Sequence, residues 1–175
     1  MLLESDNLKL KLLSLDEING PYVNWLNDKE VCKYNRHGES LYTKEKAIEF
    51  IKSVQNNPTC EVWAVYHKND NIHIGNISLQ NIDKENNLAE IAFLFGEKNY
   101  WGKGFATEAC KLLINRAFRD LNLHRLYFGT HVENIGMQKV GEKNGFKKEG
   151  IFKDAQFKNG KYSDVVRYGL INDKG

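Results

Sequence analysis

Apolar residues alternate with lysine in LKLKLL at 8–13, a period of two that puts one side of a strand inside and the other in water. The period then changes. Tyr22, Trp25 and Leu26 follow Pro21 at helical spacing. In TKEKAIEFIKSVQ, Ala47, Ile48, Ile51 and Val54 share one face behind Thr43, whose hydroxyl suits an N-cap. Between these helices VCKYNRHGES (31–40) reads as a helix end and a polar loop. EVWAVYH (61–67), the turn-rich KNDN and NIHIGNISLQ predict a hairpin. Its apolar phase flips from Ile72 and Ile74 to Ile77 and Leu79, which predicts a bulge across Gly75-Asn76. LAEIAFLF (88–95) is apolar on both faces except for Glu90, as a central strand covered on both sides would be.

Helical spacing returns with Ala106, Ala109, Cys110, Leu113, Ala117 and Leu121, opposed by Glu108, Lys111, Asn115 and Arg119, for a helix of about 16 residues. RLYFGT (125–130) follows as a strand, IGMQKVGEKNG (135–145) as a short helix with a glycine C-cap, and two last strands flank Asn159-Gly160. The order is strand, two helices, three strands, helix, strand, helix, two strands. That is an α/β chain with a mixed sheet and helices on both faces. The meander before the long helix argues against a doubly wound dinucleotide fold.

A chain of 175 residues has room for one core, so 1–175 is expected to be a single domain. With 41% hydrophobic and 27% charged residues the balance is that of a soluble folded protein, not a disordered one. Lys and Arg number 25 against 23 Asp and Glu, so the net +2 gives no global case for nucleic acid or an anionic membrane, and any anion site must be local. No run approaches the roughly 20 apolar residues of a membrane helix, and MLLESDNLKLKLL is too charged and short for a signal peptide, so a cytoplasmic protein is expected. Cys32, Cys60 and Cys110 form no C-x-x-C pair, and the five histidines show no ligand spacing, so neither a disulfide framework nor a metal site is expected.

The segment GEKNYWGKGFATEA (96–109) sets Gly102 and Gly104 at the junction of the apolar strand and the long helix. Such a junction suits an anion: glycine exposes the backbone amides, first-turn donors lack intrahelical partners, and Lys103 adds a full charge. A Walker loop fits poorly, because five residues separate Gly96 from Gly102 and Gly104 stands where a hydroxyl is needed. A Rossmann fingerprint fails at Thr107, which occupies the third glycine's place. A plain structural turn is the remaining alternative.

Together, WGKGFATEA and NIGMQKVGEKNGFKKEG (134–150) resemble the GNAT superfamily of acetyl-CoA-dependent N-acetyltransferases, in its RimJ/RimL-type branch. The family's pyrophosphate loop, Q/R-x-x-G-x-G/A, falls on Trp101 to Ala106 with Trp101 in the Gln or Arg place, and Gly104, Ala106 and Glu108 match closely. The resemblance covers nearly the whole chain: WLNDKEV (25–31) is similar to the first-helix signature, and E-K-x-G-F (142–146) to the second. It implies a mostly antiparallel sheet splayed between strands 4 and 5, with acetyl-CoA as cofactor. The amides of Gly102, Lys103, Gly104, Phe105 and Ala106 would hold its pyrophosphate, flanked by Trp101 and Thr107. The open strand edge at Phe95 and Gly96 would bond the pantetheine amides, and Asn134 would contact the cofactor arm.

The reaction so implied is attack of a neutral primary amine on a thioester. Glu90 is the candidate base, being the lone charge in its strand, against the alternatives of a solvated strand end or a structural ion pair. Amides near Phe93 to Phe95 would stabilise the oxyanion. The positions where the family carries a donor Tyr or Ser hold Gly141 and Met137, so water, Tyr127 or His131 would protonate the thiolate, or it would leave unassisted. Tyr34, Arg36, His37 and Glu39 are expected over the acceptor channel, facing Tyr162 and Asp164. Arg36 and His37 suit an anionic acceptor and Glu39 a cationic one. The leading acceptor is a protein N-terminus, ahead of a small amine such as a nucleotide-linked amino sugar or polyamine. A non-catalytic acetyl-CoA-binding module and a nucleotide hydrolase are the rivals. Neither nucleic acid nor membrane is expected as a partner, and the chain is expected to be a monomer or homodimer.

Overall fold

The computed structural model describes residues 1–173, so the last two residues of the expected 1–175 unit lie outside the described residues. Eight strands, β1 (Leu2–Glu4), β2 (Leu8–Leu12), β3 (Glu61–His67), β4 (Ile72–Asp83), β5 (Leu88–Phe95), β6 (Arg125–His131), β7 (Lys147–Lys158) and β8 (Lys161–Ile171), form one sheet in the order β1-β2-β3-β4-β5-β6-β8-β7. Every pairing is antiparallel except β5 with β6. The helices are α1 (Tyr22–Trp25), α2 (Lys44–Gln55), α3 (Phe105–Asn115) and α4 (Ile135–Lys143). Mixed sheet and helices agree with the expected α/β class; β1, three residues long, is too short to show a period in sequence.

Alternation along the strands sends side chains into two cores. Trp63, Val65, Ile77 and Ile91 pack with Leu113 and Ala109 of α3, whereas Val62 and Ala64 pack with Trp25 of α1, Leu26 just after it, and Ala47 and Ile51 of α2. The amphipathic stripe after the glycines runs through α3 and continues as a wider π-type turn over Arg116–Asp120, where Leu121 N–H donates to Arg116 O and Ala117 stays buried. WLNDKEV, by contrast, does not extend α1. The Asp28 carboxylate accepts from the amides of Glu30 (2.8 Å) and Val31 (3.2 Å), a local bond that competes with the helical ladder and turns the chain into a loop.

Two irregularities break the regular sheet near its middle. In β4, His73 pairs with Tyr66 and Gly75 with Val65, leaving Ile74 bulged, one residue ahead of the expected place. The Ile74 carbonyl accepts from the amides of both Gly96 and Glu97 and so fixes the end of β5. Strands β5 and β6, the fourth and fifth of those expected from sequence, pair only from Leu88↔Arg125 to Glu90↔Tyr127. Beyond Glu90 they part.

Candidate active site

A cleft of about 1400 Å³ opens where β5 and β6 diverge, reaching from the start of α3 on one face of the sheet to the 30–37 loop on the other. Its β5 wall is Glu90 to Phe95, its far wall Phe128 to Thr130, and Ser78, Gln80 and Asn81 of β4 continue the first wall.

At one end lies the glycine turn. Gly102 and Gly104 have φ of 74° and 88°, a left-handed region that other residues enter at a cost, and a Cβ at either would meet nothing within 4 Å. The glycines are therefore needed for backbone shape and leave an open cradle. Gly104 caps α3 without any side-chain bond, so the first-turn amides face the cleft unclaimed. Trp101, Gly102, Gly104, Phe105, Ala106 and Thr107 all line it, joined by Lys139 and Lys143 of α4. Lys103 does not; its ammonium lies 5.5 Å from the Tyr100 ring centroid. Tyr100 in turn donates to Asp70, as does His67, and the Tyr100 hydroxyl leads in lowering the Asp70 carboxyl to about 2. This tie anchors the approach to the turn. An open cradle of free amides with two lysines beside it fits a diphosphate.

Along the gap, Phe95 lines the cleft, and its carbonyl accepts from the Trp101 indole at 2.9 Å. Gly96 lies behind the wall: a Cβ there would fall 2.0 Å from the Trp25 ring. Asn134 caps α4, accepting from the Met137 amide (3.3 Å) and donating to Thr130 (3.0 Å), and it lines the cleft as well. At Gly141 a Cβ would sit 2.4 Å from Phe128 Cζ, so Phe128 excludes any side chain where the resemblance leads one to look for tyrosine.

At the other end, Glu90 is half-buried on the α1/α2 face and accepts from Asn81 Nδ2 at 3.1 Å. Tyr34, Arg36 and His37 line this end. Burial, with Lys158 nearby, holds the His37 imidazole below its ordinary pKa, which favours the neutral ring. Glu39 is turned away and accepts from the Asn159 amide, while Asp164 is held by Lys153 and the Asp154 amide. Tyr162 is exposed, with its ring against Phe157.

Besides Lys103, Gly96 and Glu39, the two expected proton donors are not brought into the cleft. Tyr127 lies in a smaller adjoining hollow of about 230 Å³. His131 packs its ring 5.2 Å from Tyr34, and its Nδ1 accepts from the Glu133 amide, leaving Nε2 to carry the proton. Conversely, Arg167, Gln156 and Phe152 line the cleft and are absent from the sequence expectations. Arg167 had a signal, a lone charge in the apolar run of β8, of the kind that singles out Glu90. Among the described residues there is no cluster of metal-ligating side chains and no helix long and apolar enough to cross a membrane.

A family described as an acetyltransferase (GNAT) domain matches residues 7–147. The chain belongs to the GNAT acetyltransferase family. The uncharacterized N-acetyltransferase p20 of Bacillus licheniformis is 30% identical over 171 residues, covering 97% of this chain and 95% of that protein. The ribosomal-protein-serine acetyltransferase of Escherichia coli K12 is 35% identical over 100 residues, 57% of this chain and 55% of its own length. Spermidine N-acetyltransferase from Vibrio cholerae, solved with CoA and spermine, superposes with a TM-score of 0.87 at 25% identity, covering 97% of this chain and 98% of that one. The chain is thus an acetyl-CoA-dependent N-acetyltransferase of the GNAT type.

Proposed function

We propose that this GNAT enzyme acetylates the N-terminal amine of a protein, with Glu90 as the base. The observation that carries the choice of acceptor is the charge at the acceptor end. Lys33, Arg36 and Arg167 line it against Glu30 and Glu90, and Glu30 is already held by Lys98 at 2.6 Å. Glu39, the carboxylate that would have welcomed a cation, faces Asn159 instead. A polyamine would meet net positive charge here. A peptide would meet the uncharged polar strip of Asn76, Ser78, Gln80 and Asn81, suited to backbone amides. The ribosomal-protein-serine acetyltransferase relative supports the same reading.

When bound, acetyl-CoA supplies the acetyl group as a thioester. The amides of Gly102 through Thr107, with Lys139 and Lys143, hold the phosphates. The β5 edge beyond Glu90, free of a β6 partner, offers its amides around Phe93 to Phe95 to the arm and to the carbonyl oxygen. Asn81 Nδ2 orients the Glu90 carboxylate, which takes the proton of the incoming ammonium so that a neutral amine attacks. Tyr127 and His131 lie outside the cleft, and the final proton is left to water.

Thiol release tests this. A peptide with N-terminal serine should release CoA in an acceptor-dependent manner, and spermidine should do so at least about tenfold less efficiently. Gly104→Glu, still folded, should lose thermal stabilisation by acetyl-CoA, because it places bulk and negative charge in the cradle. A preference for spermidine over the peptide would overturn the acceptor assignment.

A further inference from the structure

Arg167 stands in the apolar stretch of β8, where its register partner in β6 is Gly129. This places its side chain on the face of Tyr127 and, through the Glu90↔Tyr127 pair, on the face of Glu90. Gly129 makes room for it: a Cβ there would come within 3.2 Å of Arg167 Cδ and Nε. The guanidinium carbon lies 5.2 Å from the Phe152 ring centroid and 5.9 Å from that of Tyr127, held between the two rings.

What this guanidinium lacks is an anion. Its Nε is buried without a hydrogen-bond partner, and no carboxylate among the described residues pairs with it. The nearby Glu149 is committed to Arg125 through both of its oxygens. Two aromatic faces offset only part of the cost of burying an unpaired cationic N–H. Arg167 nevertheless opens onto the acceptor end of the cleft. Arg36, the other arginine there, is exposed and solvated, so its attraction for an anion is screened far more.

We infer that Arg167 is an anion-binding residue for the acceptor, pairing a carboxylate carried by the first or second side chain of the peptide whose amine reaches Glu90. The two residues flank β6 two strand spacings apart and, opposite Tyr127 and Gly129, two residues apart along it, roughly 12 Å between backbones, a span that one short acidic peptide segment bridges once both side chains reach inward. The planar fork of arginine suits a carboxylate, and equally a phosphate on a small amine. This rests on the amine-acetylating role proposed above and deepens it: the acceptor is an amine with a neighbouring anion.

Calorimetry on the CoA-saturated protein tests it with two matched pairs. These are the amidated peptides Ser-Asp-Ala-Ala and Ser-Asn-Ala-Ala, and glucosamine 6-phosphate against glucosamine. The Asp peptide should bind about tenfold tighter than the Asn peptide. Arg167→Leu should erase that difference, and Arg167→Lys, charged but without the fork, should keep part of it. The melting temperature and CoA affinity of each variant are measured alongside; should Arg167→Leu fail to fold, Arg167→Lys and Arg167→Gln carry the comparison. Discrimination confined to the sugar pair and lost with Arg167 would uphold the anion site and remove the peptide as acceptor. Equal binding within both pairs, binding of neither anionic member, or discrimination that survives the loss of Arg167 would overturn the inference.

Discussion

Glu90 is the single charge of an apolar strand and Arg167 the single charge in the apolar second half of β8 (165–171), and a strand tolerates such a residue where something outside the core needs it. For Glu90 the surroundings are the cleft and one amide donor, Asn81. Glu90→Gln preserves the shape and the contact with residue 81 while removing the base. It should lower kcat about 100-fold with the acetyl-CoA dissociation constant unchanged, read by thiol release and calorimetry. A kcat within a factor of about 2 of wild type would reduce Glu90 to a structural role. Glu90 was legible in the sequence because one charge in an apolar run is visible there. Its meaning was not, since the same signal at Arg167 depends on which face the residue takes, and that depends on the Gly129 register. Gly96 shows the limit from another side: the sequence reveals a glycine, and only the fold reveals the Trp25 ring lying across it.

At the scale of elements, the acceptor wall is held by a segment remote in sequence. Lys158, at the tip of the β7–β8 hairpin, donates to the carbonyls of Cys32 (2.5 Å), Asn35 (2.6 Å) and His37 (2.7 Å). Gln156 donates to Tyr34 O at 3.3 Å, and the Asn159 amide to Glu39 at 2.6 Å. An ammonium has three protons, and here each finds a carbonyl of one loop, which gives that loop a shape it cannot fix by itself. Lys158→Met keeps much of the aliphatic stem and removes the donors. It should raise KM for a peptide acceptor about tenfold, leave KM for acetyl-CoA unchanged, and speed proteolytic cleavage within residues 32–39. An unchanged acceptor KM would mean the loop holds its shape without the hairpin. The order of the longer strands and helices, the existence of a bulge to within one residue and the glycine turn could be read locally, because periodicity and turn chemistry act over a few residues, whereas the three residues of β1 were too few. The clamp could not, since nothing near Lys158 in sequence marks its partners.

At the scale of the whole molecule, the face of the sheet bearing α1 and α2 is threaded by a polar chain that makes stability depend on pH. His73 is buried between Trp25 and Tyr66, with ring centroids at 4.7 and 5.0 Å. Its Nε2 faces two acceptors, Gly75 O (3.0 Å) and Asn76 Oδ1 (2.8 Å), and so carries the proton, while Nδ1 has no partner. Burial pushes this imidazole below its ordinary value of 6.5, as it does His37. Below 6.5 the unfolded chain therefore binds protons that the folded chain does not, and stability falls as pH falls. Further along, Glu17 accepts from Tyr66 (2.8 Å) and pairs with Lys11 (2.7 Å); burial raises its pKa, but the bonds from Lys11, Ser14 and Tyr66 outweigh that and leave it lowered from 4.5. Its stabilisation is present above 4.5 and is lost below. Stability to urea should thus stay level above about pH 7, decline between 7 and 5 with a slope of at most about 1.4 kcal/mol per pH unit from buried His73 and a smaller share from the more exposed His37, and steepen again below 4.5 as Glu17 protonates. His73→Phe loses the bonds to Gly75 and Asn76 and lowers stability at every pH, so the informative quantity is the slope: between pH 7 and 5 it should shrink by the share of one histidine. A slope identical to wild type would show that the charge burden at acid pH lies elsewhere than in this buried ring.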